Sequence, residues 1–591
     1  MRSAAGPPAC PEPRIRARLS LQRLSFALIV LLVGWRLGTR QVFGQNLQPD
    51  NQSNVVHGTV VNAVTREPIG RALVYSPDSR YATFTDGEGH FEFSLPKVAA
   101  ESGGFASEGQ PYRGWLNGGS GGLMWLLARK PGFLDDQNGR RQIEVLPGAE
   151  VTIPLMPESL IKGRVTLPAA DPVRGINVQL VSRQVQDGSP RWMLINSVVT
   201  NSNGEFRLAE LRPGTYKVLT REWMDNDPEA TIPGGQLYGF PPVYYPSATD
   251  FAAASTIQLT AGQTFQADMS LVRQPYYRVK IPVTNSEPNG GMNVTVSPQG
   301  QRGPGYSLGY NRGKEAIEGQ LPNGKYLVEA TTFAQNSSAS GSVNIVVAGA
   351  PAEGPGMVLA RNNSINVNVK EEFTSNEGPR SGSSSDGKHT YPLHGPRLDV
   401  QIKAETMDDF GAQRSAYVRQ PTGPNDDSLV LENLVPGRYG LRFTASRGYV
   451  ASATMGGVDL LREPLVVVPG ANASIDVMMR DDNAELEGTL LGITPTPADS
   501  SRASPQAFVY CIPLPDSPGQ FLEFSASFDG KFDYRTVVPG VYRVIAFTSE
   551  QRDISYRDAE AMKFYEMKGQ IVHFAPGQKV TLQLQVISGS E

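Results

Sequence analysis

The side chains that could do catalytic or metal chemistry are few in this chain of 591 residues. Its five histidines form neither an H-x-x-E nor an H-E-x-x-H pattern: His57, His90, His389, His394 and His573. No G-x-S-x-G motif stands between a predicted strand and a predicted helix, and no Walker or dinucleotide-binding glycine motif occurs. The sequence therefore predicts a protein that is not an enzyme, with no catalytic residues, no metal site and no cofactor.

Carboxylates in glycine-rich turns are a second kind of candidate. Asp86 and Glu88 lie in TDGEG, and Asp529 lies in FDGKF. Such oxygens can bind calcium. However, a related segment of the chain reads TNSNGEF, and Asp or Asn before Gly is ordinary hairpin chemistry. We interpret these residues as turn formers.

A cluster of aromatic residues is the strongest candidate for binding. Residues 221 to 245 are rich in Pro and Gly and contain Trp223, Tyr238, Tyr244 and Tyr245. Flat aromatic faces bordered by polar groups stack on sugar rings, so these four residues are the predicted carbohydrate-binding site. The alternative is that the rings cover the edge of a β-sandwich and pack on it.

A repeated turn motif indicates the architecture that must position these residues. LRPGTYKV at 211 recurs as LPNGKYLV at 321, LVPGRYGL at 434 and VVPGVYRV at 537. The four tyrosines, Tyr216, Tyr326, Tyr439 and Tyr542, are 110, 113 and 103 residues apart, which is the size of one small sandwich domain. We expect Gly214, Gly437 and Gly540 to adopt φ > 0 in the turn, so that the following strand begins in register.

Two further markers recur in step with this turn. One is a strand, a glycine turn and another strand, as in IEVLPGAEVTIPLM, and the other is an opening strand interrupted by Gly58, Gly163 or Gly488. Short period-two strands recur throughout, and the exception is a short helix predicted within residues 557 to 569. The fold class is therefore all-β, with tandem immunoglobulin-like or prealbumin-like β-sandwich modules. The predicted modules are 55–157, 158–274, 275–373, 397–482 and 483–591, with a Gly/Ser-rich linker at 374–396.

The N-terminal segment predicts export. Several arginines precede the apolar run from Leu24 to Trp35, and small residues follow. This pattern is typical of a secretory signal peptide, for which we expect residues 1–44 with cleavage after Gly44. The alternative is an uncleaved membrane anchor, although the run is shorter than the roughly 20 residues of a spanning helix. Cys10 would leave with the peptide, and Cys511 is predicted to be a buried thiol.

Composition excludes one class of partner. The formal charge is −4, and no dense basic block follows the N-terminus, so nucleic acid is not an expected partner. A membrane is expected as a partner only if the N-terminal segment is retained. The predicted location is outside the cytoplasm: secreted, periplasmic or in the cell envelope.

The motifs also resemble a known family. GTV at Gly58, TDGEGHFEF at residues 85 to 93 and ARKPGF at 128 to 133 are similar to the carboxypeptidase regulatory-like domain, and residues 160 to 218 repeat the pattern. The resemblance implies a prealbumin-like sandwich of the carbohydrate-binding-like fold. It does not imply one function, because the same fold serves different functions in different proteins.

These inferences converge on one functional hypothesis. The chain is predicted to be an exported, non-enzymatic protein that acts in binding or as a spacer at the cell envelope, with carbohydrate binding as its molecular activity and a polysaccharide or an envelope protein as partner. Two alternatives stay open at this stage. One is the accessory region of a polysaccharide- or peptide-processing system, and the other is a purely structural stalk.

Overall fold

The structure is a computed structural model, and it describes most of the chain between residues 55 and 587. Within that range it leaves out 78–79, 95–123, 135–142, 146–149, 169–170, 226–234, 285–290, 301–302, 304, 334–337, 375–380, 384–389, 393–399, 409, 411–414, 420–428, 471, 494–506, 528 and 552. The predicted signal peptide lies outside the described residues. Among the described residues, no helix is long and apolar enough to cross a membrane.

Five separate hydrophobic cores follow one another along the chain, and each defines one module. We name them module one (55–157), module two (158–273), module three (274–362), module four (363–482) and module five (483–587). All five are built from β-strands, so the predicted all-β sandwich class is confirmed. A thiol lies in the last core, where Cys511 is fully buried as predicted, and burial raises its pKa to about 12.

The strands of the first three modules have the following bounds. Module one contains Val55–Asn62, Leu73–Tyr75, Ala82–Phe84, His90–Ser94, Met124–Arg129, Ile143–Val145 and Glu150–Leu155. Module two contains Ser159–Thr166, Asn177–Gln186, Ser189–Val199, Glu205–Leu211, Gly214–Thr220, Trp223–Met224, Leu237–Phe240, Ile257–Leu259, Thr264–Gln266 and Met269–Ser270. Module three contains Gln274–Thr284, Gly291–Pro298, Gly309–Asn311, Ala316–Pro322, Gly324–Phe333, Ala339–Val347, Ala352–Glu353, Met357–Val358 and Ala360–Arg361, with a 3-10 turn at Arg312–Lys314.

The last two modules are also built from short β-strands. Module four contains Asn363–Glu372, Ser381–Ser383, Thr390–Pro392, Val400–Thr406, Ser415–Arg419, Val430–Leu434, Gly437–Ala445, Tyr449–Met455, Val458–Asp459, Leu465–Val467 and Ile475–Arg480. Module five contains Ala484–Leu491, Phe508–Pro513, Leu522–Ser525, Lys531–Val537, Gly540–Phe547, Gln570–Phe574 and Lys579–Ile587. The predicted short helix is confirmed at Ala559–Met562, where Asp558 caps the first turn, and a 3-10 turn at Lys563–Tyr565 continues it.

One pairing pattern is common to all five modules. The first strand of each pairs parallel with a late strand and antiparallel with a strand from the middle of the module. In module two, for example, Ser159–Thr166 lies between Glu205–Leu211 and Thr264–Gln266. In modules two and three the strand after the repeated turn joins a different sheet from the strand before it, as Gly214–Thr220 does. The sequence repeat is therefore a repeat of topology.

The glycine in the opening strand has a packing role. Gly163 is paired with Phe206 across the ladder, and a Cβ at Gly163 would lie 2.8 Å from the Phe206 ring and 2.0 Å from the Ala267 carbonyl oxygen. The same relation joins Gly488 to Phe532, at 2.4 Å. Only glycine leaves room for the phenylalanine ring and the parallel neighbour strand.

The repeated tyrosine closes the turn that precedes it. In each copy its hydroxyl donates a hydrogen bond to the carbonyl oxygen four residues earlier, at 2.7 Å for Tyr216, 3.0 Å for Tyr326, 2.8 Å for Tyr439 and 2.7 Å for Tyr542. All four rings are buried. The motif is therefore a tyrosine corner, in which a buried hydroxyl satisfies a turn carbonyl.

The predicted φ > 0 at the turn glycine is confirmed at Gly214 and Gly437 and is wrong at Gly540. Gly214 and Gly437 have φ of 159° and 157°, close to extended backbone, and each begins the strand itself. Gly540 is not among the residues with positive φ in the described chain. In module five, space is the reason for glycine, because a Cβ at Gly540 would lie 2.5 Å from the Ser517 hydroxyl. Glu210 and Asn433 have a left-handed backbone conformation. Each lies a few residues before the turn glycine, where the pairing of the preceding strand shifts register.

The boundary between modules three and four also differs from the prediction. Strand Asn363–Glu372 pairs with Ile475–Arg480 and Val430–Leu434, and Ile365 and Val367 lie in the core of module four. The predicted linker at 374–396 is therefore an insertion after the first strand of module four. Two of its segments, Ser381–Ser383 and Thr390–Pro392, pair antiparallel. A polar, Gly/Ser-rich composition is shared by linkers and by hairpin insertions, which is why composition misplaced the boundary.

Candidate functional site

The aromatic segment of module two continues the sheet of module three. Trp223–Met224 pairs with Leu237–Phe240, which in turn pairs with Gln274–Thr284, the first strand of module three. Two strands from one module thereby extend a sheet of the next. Such an extension couples neighbouring modules through backbone hydrogen bonds as well as side chains.

Two of the predicted sugar-binding rings have a face against another group. Trp223 is half-buried and stacks on Phe240, with ring centroids 5.6 Å apart and an angle of 22° between the planes. Tyr238 is half-buried, and the guanidinium carbon of Arg273 lies 4.1 Å from its ring centroid. Arg273 is held there by an ion pair with Asp225 at 2.7 Å. The contacts of both rings are of the kind that stabilise packing.

The other two rings point to different neighbours. Tyr244 is only 2% exposed and packs edge-on to Phe251 in a small cluster of its own, so its contacts favour packing over ligand binding. It forms an isolated bridge with Leu219, a position that a count of aromatic residues does not reveal. Tyr245 is half-buried and packs edge-on to Phe265 against the core of module two. The four rings therefore do not share one face, and their contacts favour the packing alternative.

A buried carboxylate lies at the same junction. Glu222 Oε1 accepts hydrogen bonds from the backbone N–H and the hydroxyl of Ser307 in module three, at 2.6 and 2.8 Å. In the described part of the chain, Oε2 is buried without a hydrogen-bond partner, as is the Tyr276 hydroxyl. Burial raises the pKa of Glu222 to about 7. This carboxyl group is thus set to change its charge near neutral pH.

Module two also contacts module five, although two modules separate them in the sequence. Asp187 and Gly188 form the tip of the hairpin between Asn177–Gln186 and Ser189–Val199. Asp187 accepts a hydrogen bond from the Tyr556 hydroxyl at 2.6 Å and pairs with Arg557 at 2.8 Å. The Gly188 carbonyl accepts from the Arg557 backbone N–H at 3.0 Å, and a Cβ at Gly188 would lie 2.5 Å from the Tyr556 ring.

The same hairpin contacts module four. Arg191, which is 5% exposed, donates from Nε to the Asp408 carbonyl at 2.6 Å. Nearby, Phe251 of module two packs on Phe410 of module four, with ring centroids 5.1 Å apart. None of these interface residues belongs to a motif that stands out in the sequence. The D-G pair at 187–188 does predict a tight hairpin, but no local pattern predicts what the tip of that hairpin touches.

No group of three or more His, Cys, Asp or Glu side chains in the described residues could hold a metal ion. Asp86 instead accepts hydrogen bonds from the backbone N–H groups of Glu88 and His90, at 2.9 and 2.8 Å. Asp529 pairs with Lys531 across its turn at 2.8 Å, and that hydrogen bond, with one from Ser527, lowers the pKa of the carboxyl group. Both carboxylates serve the local turn, in line with their interpretation as turn formers.

Known proteins are similar to this chain in part. Among solved structures, the Bacillus anthracis TIE protein aligns at 10% identity over 69% of this chain and 65% of that one, with a TM-score of 0.14, so the match spans just under two thirds of its length. The streptococcal ancillary pilin aligns at 12% identity, 52% and 99% coverage and a TM-score of 0.17. BcpA, the major pilin subunit of Bacillus cereus, aligns at 9% identity, 55% and 99% coverage and a TM-score of 0.14.

A comparison with curated protein sequences gave no match. A family model, the carboxypeptidase regulatory-like domain, matches residues 160–222. That range runs from the opening strand of module two, through its tyrosine corner, to the start of the aromatic segment. The resemblance predicted from the sequence is confirmed: module two is similar to the carboxypeptidase regulatory-like domain.

Proposed function

We propose that this chain is an exported, non-enzymatic scaffold of the cell envelope, in which β-sandwich modules hold one another in a fixed arrangement. One observation carries the proposal: strands Trp223–Met224 and Leu237–Phe240 of module two extend the sheet of module three. A sheet that continues across a module boundary resists bending at that boundary. A scaffold that positions binding surfaces needs this property.

The contact between modules two and five distinguishes a scaffold from a simple stalk. In a stalk whose only property is length, each module needs contacts only with its neighbours in the sequence. Here the Asp187 carboxylate lies against Tyr556 and Arg557, about 370 residues away. The interface also includes the buried Arg191 and the Phe251–Phe410 pair with module four. These contacts support a role in which the relative positions of modules matter.

Carbohydrate binding at the aromatic segment is the competing proposal. Trp223 and Tyr238 are half-buried and would be its remaining contact residues, together with Tyr245. The stacking of Trp223 on Phe240 and of Arg273 on Tyr238 occupies one face of each ring. We therefore favour the scaffold function and assign these rings to the junction.

A double-mutant cycle in the full chain tests the scaffold. Asp187→Asn and Arg557→Gln are made singly and together, and thermal unfolding is followed by calorimetry. Because the pair is largely shielded from water, we expect a coupling energy of about 1 kcal/mol, within the range for contacting charged residues. Arg535→Gln with Asp533→Asn, a pair within module five whose side chains are 76% and 53% exposed, is the control and should give about 0–0.5 kcal/mol.

The export part of the proposal has its own measurement. The full chain is expressed in a bacterial host, the cells are fractionated, and the N-terminus of the product is sequenced. A mature protein that begins near residue 45 outside the cytoplasm supports the proposal, and an intact protein in the cytoplasm contradicts it. A zero coupling between Asp187 and Arg557, with wild-type unfolding for both variants, contradicts the fixed arrangement independently.

A further inference from the structure

A cleft at the meeting point of modules two, four and five carries a buried guanidinium. The cleft has a volume of about 560 Å³, and its walls come mainly from modules four and five, with Asp187 of module two at one end. Arg543 lies in its wall on strand Gly540–Phe547 and is 9% exposed. A charged side chain that is nine-tenths buried is costly unless something compensates its charge.

The partners of Arg543 inside the protein are neutral. Its Nη1 donates to the backbone carbonyl oxygens of Glu566 and Lys568, at 2.6 and 3.2 Å, at the end of the short helical segment. Among the described residues, Nη1 is the donor in both side-chain hydrogen bonds of Arg543. A guanidinium has five N–H donors in a planar fork, so Nε and Nη2 retain the geometry for a two-pronged bond to a carboxylate.

The rest of the cleft adds to the positive charge. Arg442 of module four is exposed in the same wall, and Arg462 also lines it. Arg557 is neutralised by Asp187, and Arg462 is 3.5 Å from Asp459. After these pairs, Arg442 and Arg543 face only Glu566 among the acidic side chains that line the cleft. The charge balance favours an anionic ligand.

Apolar groups around the cleft indicate what kind of anion fits. Its lining includes the flexible apolar side chains of Met407, Leu461, Leu514 and Met562. Beside it, Met567 is 96% exposed and Ile571 is 60% exposed; Ile571 is paired with Arg543 across the ladder. Exposed apolar side chains next to a charge mark protein contact surfaces, and methionines adapt to varied partner side chains.

We propose that this cleft binds an acidic peptide segment of a partner protein, with a glutamate or aspartate carboxylate on Arg543 and flanking apolar side chains on the methionines and leucines. Arg442 provides a second cationic contact at the rim. The recognition mode is that of an arginine cluster reading an acidic motif. A polysaccharide would call instead for free aromatic faces. The aromatic rings that line the cleft are engaged within the protein, because Phe443 is buried and Phe521 and Tyr556 stack on each other with centroids 4.5 Å apart. The aliphatic and thioether groups are left for a peptide.

Fluorescence polarisation on the full chain tests the proposal. The probe is a labelled hexapeptide of alternating leucine and glutamate with blocked ends, and its twin carries glutamine in place of glutamate. We expect the acidic peptide to bind at least about tenfold more tightly than the twin, because only the carboxylate forms a charge-assisted bond to arginine, and tenfold corresponds to about 1.4 kcal/mol. Added salt should weaken this binding.

Three arginine variants locate the binding. Arg543→Gln should weaken binding of the acidic peptide about tenfold or more, and Arg442→Gln, at an exposed position that folding tolerates, about threefold or more. Arg535 is an exposed arginine of module five, and Arg535→Gln should change the affinity for the acidic peptide less than about twofold. Calorimetry of each variant confirms that modules four and five are folded.

Several results would overturn the proposal. One is the absence of acidic-peptide binding up to about 1 mM at low salt, which corresponds to only about −4 kcal/mol. Another is equal binding by the glutamine twin, or binding that Arg442→Gln leaves unchanged in a folded protein. A third is binding of an oligogalacturonate, tested in parallel, without binding of the peptide, since this would assign the cleft to an acidic polysaccharide.

Discussion

The hydroxyl of Tyr439 donates a hydrogen bond to the backbone carbonyl of Val435 at 2.8 Å, and this relationship recurs in modules two, three and five. It joins the start of one strand to the end of the strand before it. In modules two and three the chain crosses from one sheet to another at this point, and in modules four and five the two strands lie apart within one continuous sheet. The bond therefore fixes the corner through which each module is closed.

Removing that hydroxyl should destabilise module four. Tyr439→Phe keeps the buried ring but leaves the Val435 carbonyl without this partner, so we expect a loss of about 1 kcal/mol in the free energy of unfolding. Tyr417→Phe, at a 61% exposed position in the same module, is the control and should have almost no effect. Hydrogen exchange of module-four amides in the full chain measures both. Equal protection in the two variants would contradict the structural role of the corner.

An alanine in place of the opening-strand glycine should lower stability more than an alanine in place of a glycine with open space around it. In Gly163→Ala the new Cβ would meet the Ala267 carbonyl oxygen at 2.0 Å, so the neighbouring strand must shift, at a cost of about 1–3 kcal/mol. Gly291→Ala, where a Cβ meets nothing within 4 Å, should be neutral or slightly stabilising. Thermal unfolding of the two full-length variants gives the comparison. Matching midpoints would show that the close approach is not what selects glycine.

Much of this fold follows from local patterns in the sequence, and the parts that do not are long-range. The PG-Y turns and Gly-interrupted strands predict β-sandwich modules because each pattern acts within a few residues or across one ladder. The first strand of module four, Asn363–Glu372, was assigned to module three because its period-two pattern fits any sandwich edge equally well. Only its pairing with Ile475–Arg480, more than 100 residues away, shows where it belongs.

The site residues show the same limit. The aromatic residues within 223–245 predict stacking on sugar, but the sequence does not show which face of each ring is covered by other residues. Arg273 covers Tyr238 and directly precedes strand Gln274–Thr284, whereas Phe240 covers Trp223 and comes from the aromatic segment itself. Arg543 lies in the segment VYRV, and its guanidinium is covered by the chain around Glu566 and Lys568, which follows the short helical segment. Charge buried by tertiary packing has no local signature.

The junction between modules two and three should weaken as pH rises through neutrality. Burial raises the pKa of Glu222 from about 4.5 in the unfolded chain to about 7 in the folded one. The folded state therefore prefers the protonated carboxyl, so its stabilisation is complete below about pH 4.5 and is lost between pH 4.5 and 7. The difference across this window should be about 1–3 kcal/mol. The neighbouring Arg221 opposes the shift, and the buried Tyr276 and Tyr306 stay neutral here because burial raises their pKa values.

Glu222→Gln separates this effect from other titrations. The glutamine Oε1 can still accept from the Ser307 backbone N–H and hydroxyl, but it has no charge to bury. We expect the variant to be as stable at pH 8 as at pH 5 in the hydrogen exchange of strand Gln274–Thr284, whereas wild type loses protection at pH 8. A wild-type junction with no pH dependence between 4.5 and 8 would show that Glu222 does not ionise in this way.

Trp223 should behave as a junction residue rather than as a sugar platform. Its ring stacks on Phe240 at 5.6 Å, and its strand pairs with the strand that extends the sheet of module three. Trp223→Ala removes a half-buried aromatic contact, so we expect a loss of about 1–3 kcal/mol that is seen in modules two and three together. Phe84→Ala, at a 67% exposed position in module one, is the control for loss of an aromatic ring and should cost far less.

The same two variants decide between packing and sugar stacking. If Trp223 supports the junction, oligosaccharides titrated into the wild-type chain should give no binding that Trp223→Ala removes, while unfolding of the variant shifts to lower temperature. The opposite result would support the carbohydrate-binding site. In that case the wild-type chain binds a sugar at about micromolar to millimolar affinity, and Trp223→Ala loses this binding without any change in unfolding. Since Arg273 covers Tyr238 from the position just before strand Gln274–Thr284, Arg273→Ala adds a third variant to the test. It should uncover a ring face and lower stability if the ring packs, and strengthen sugar binding if the ring is a platform.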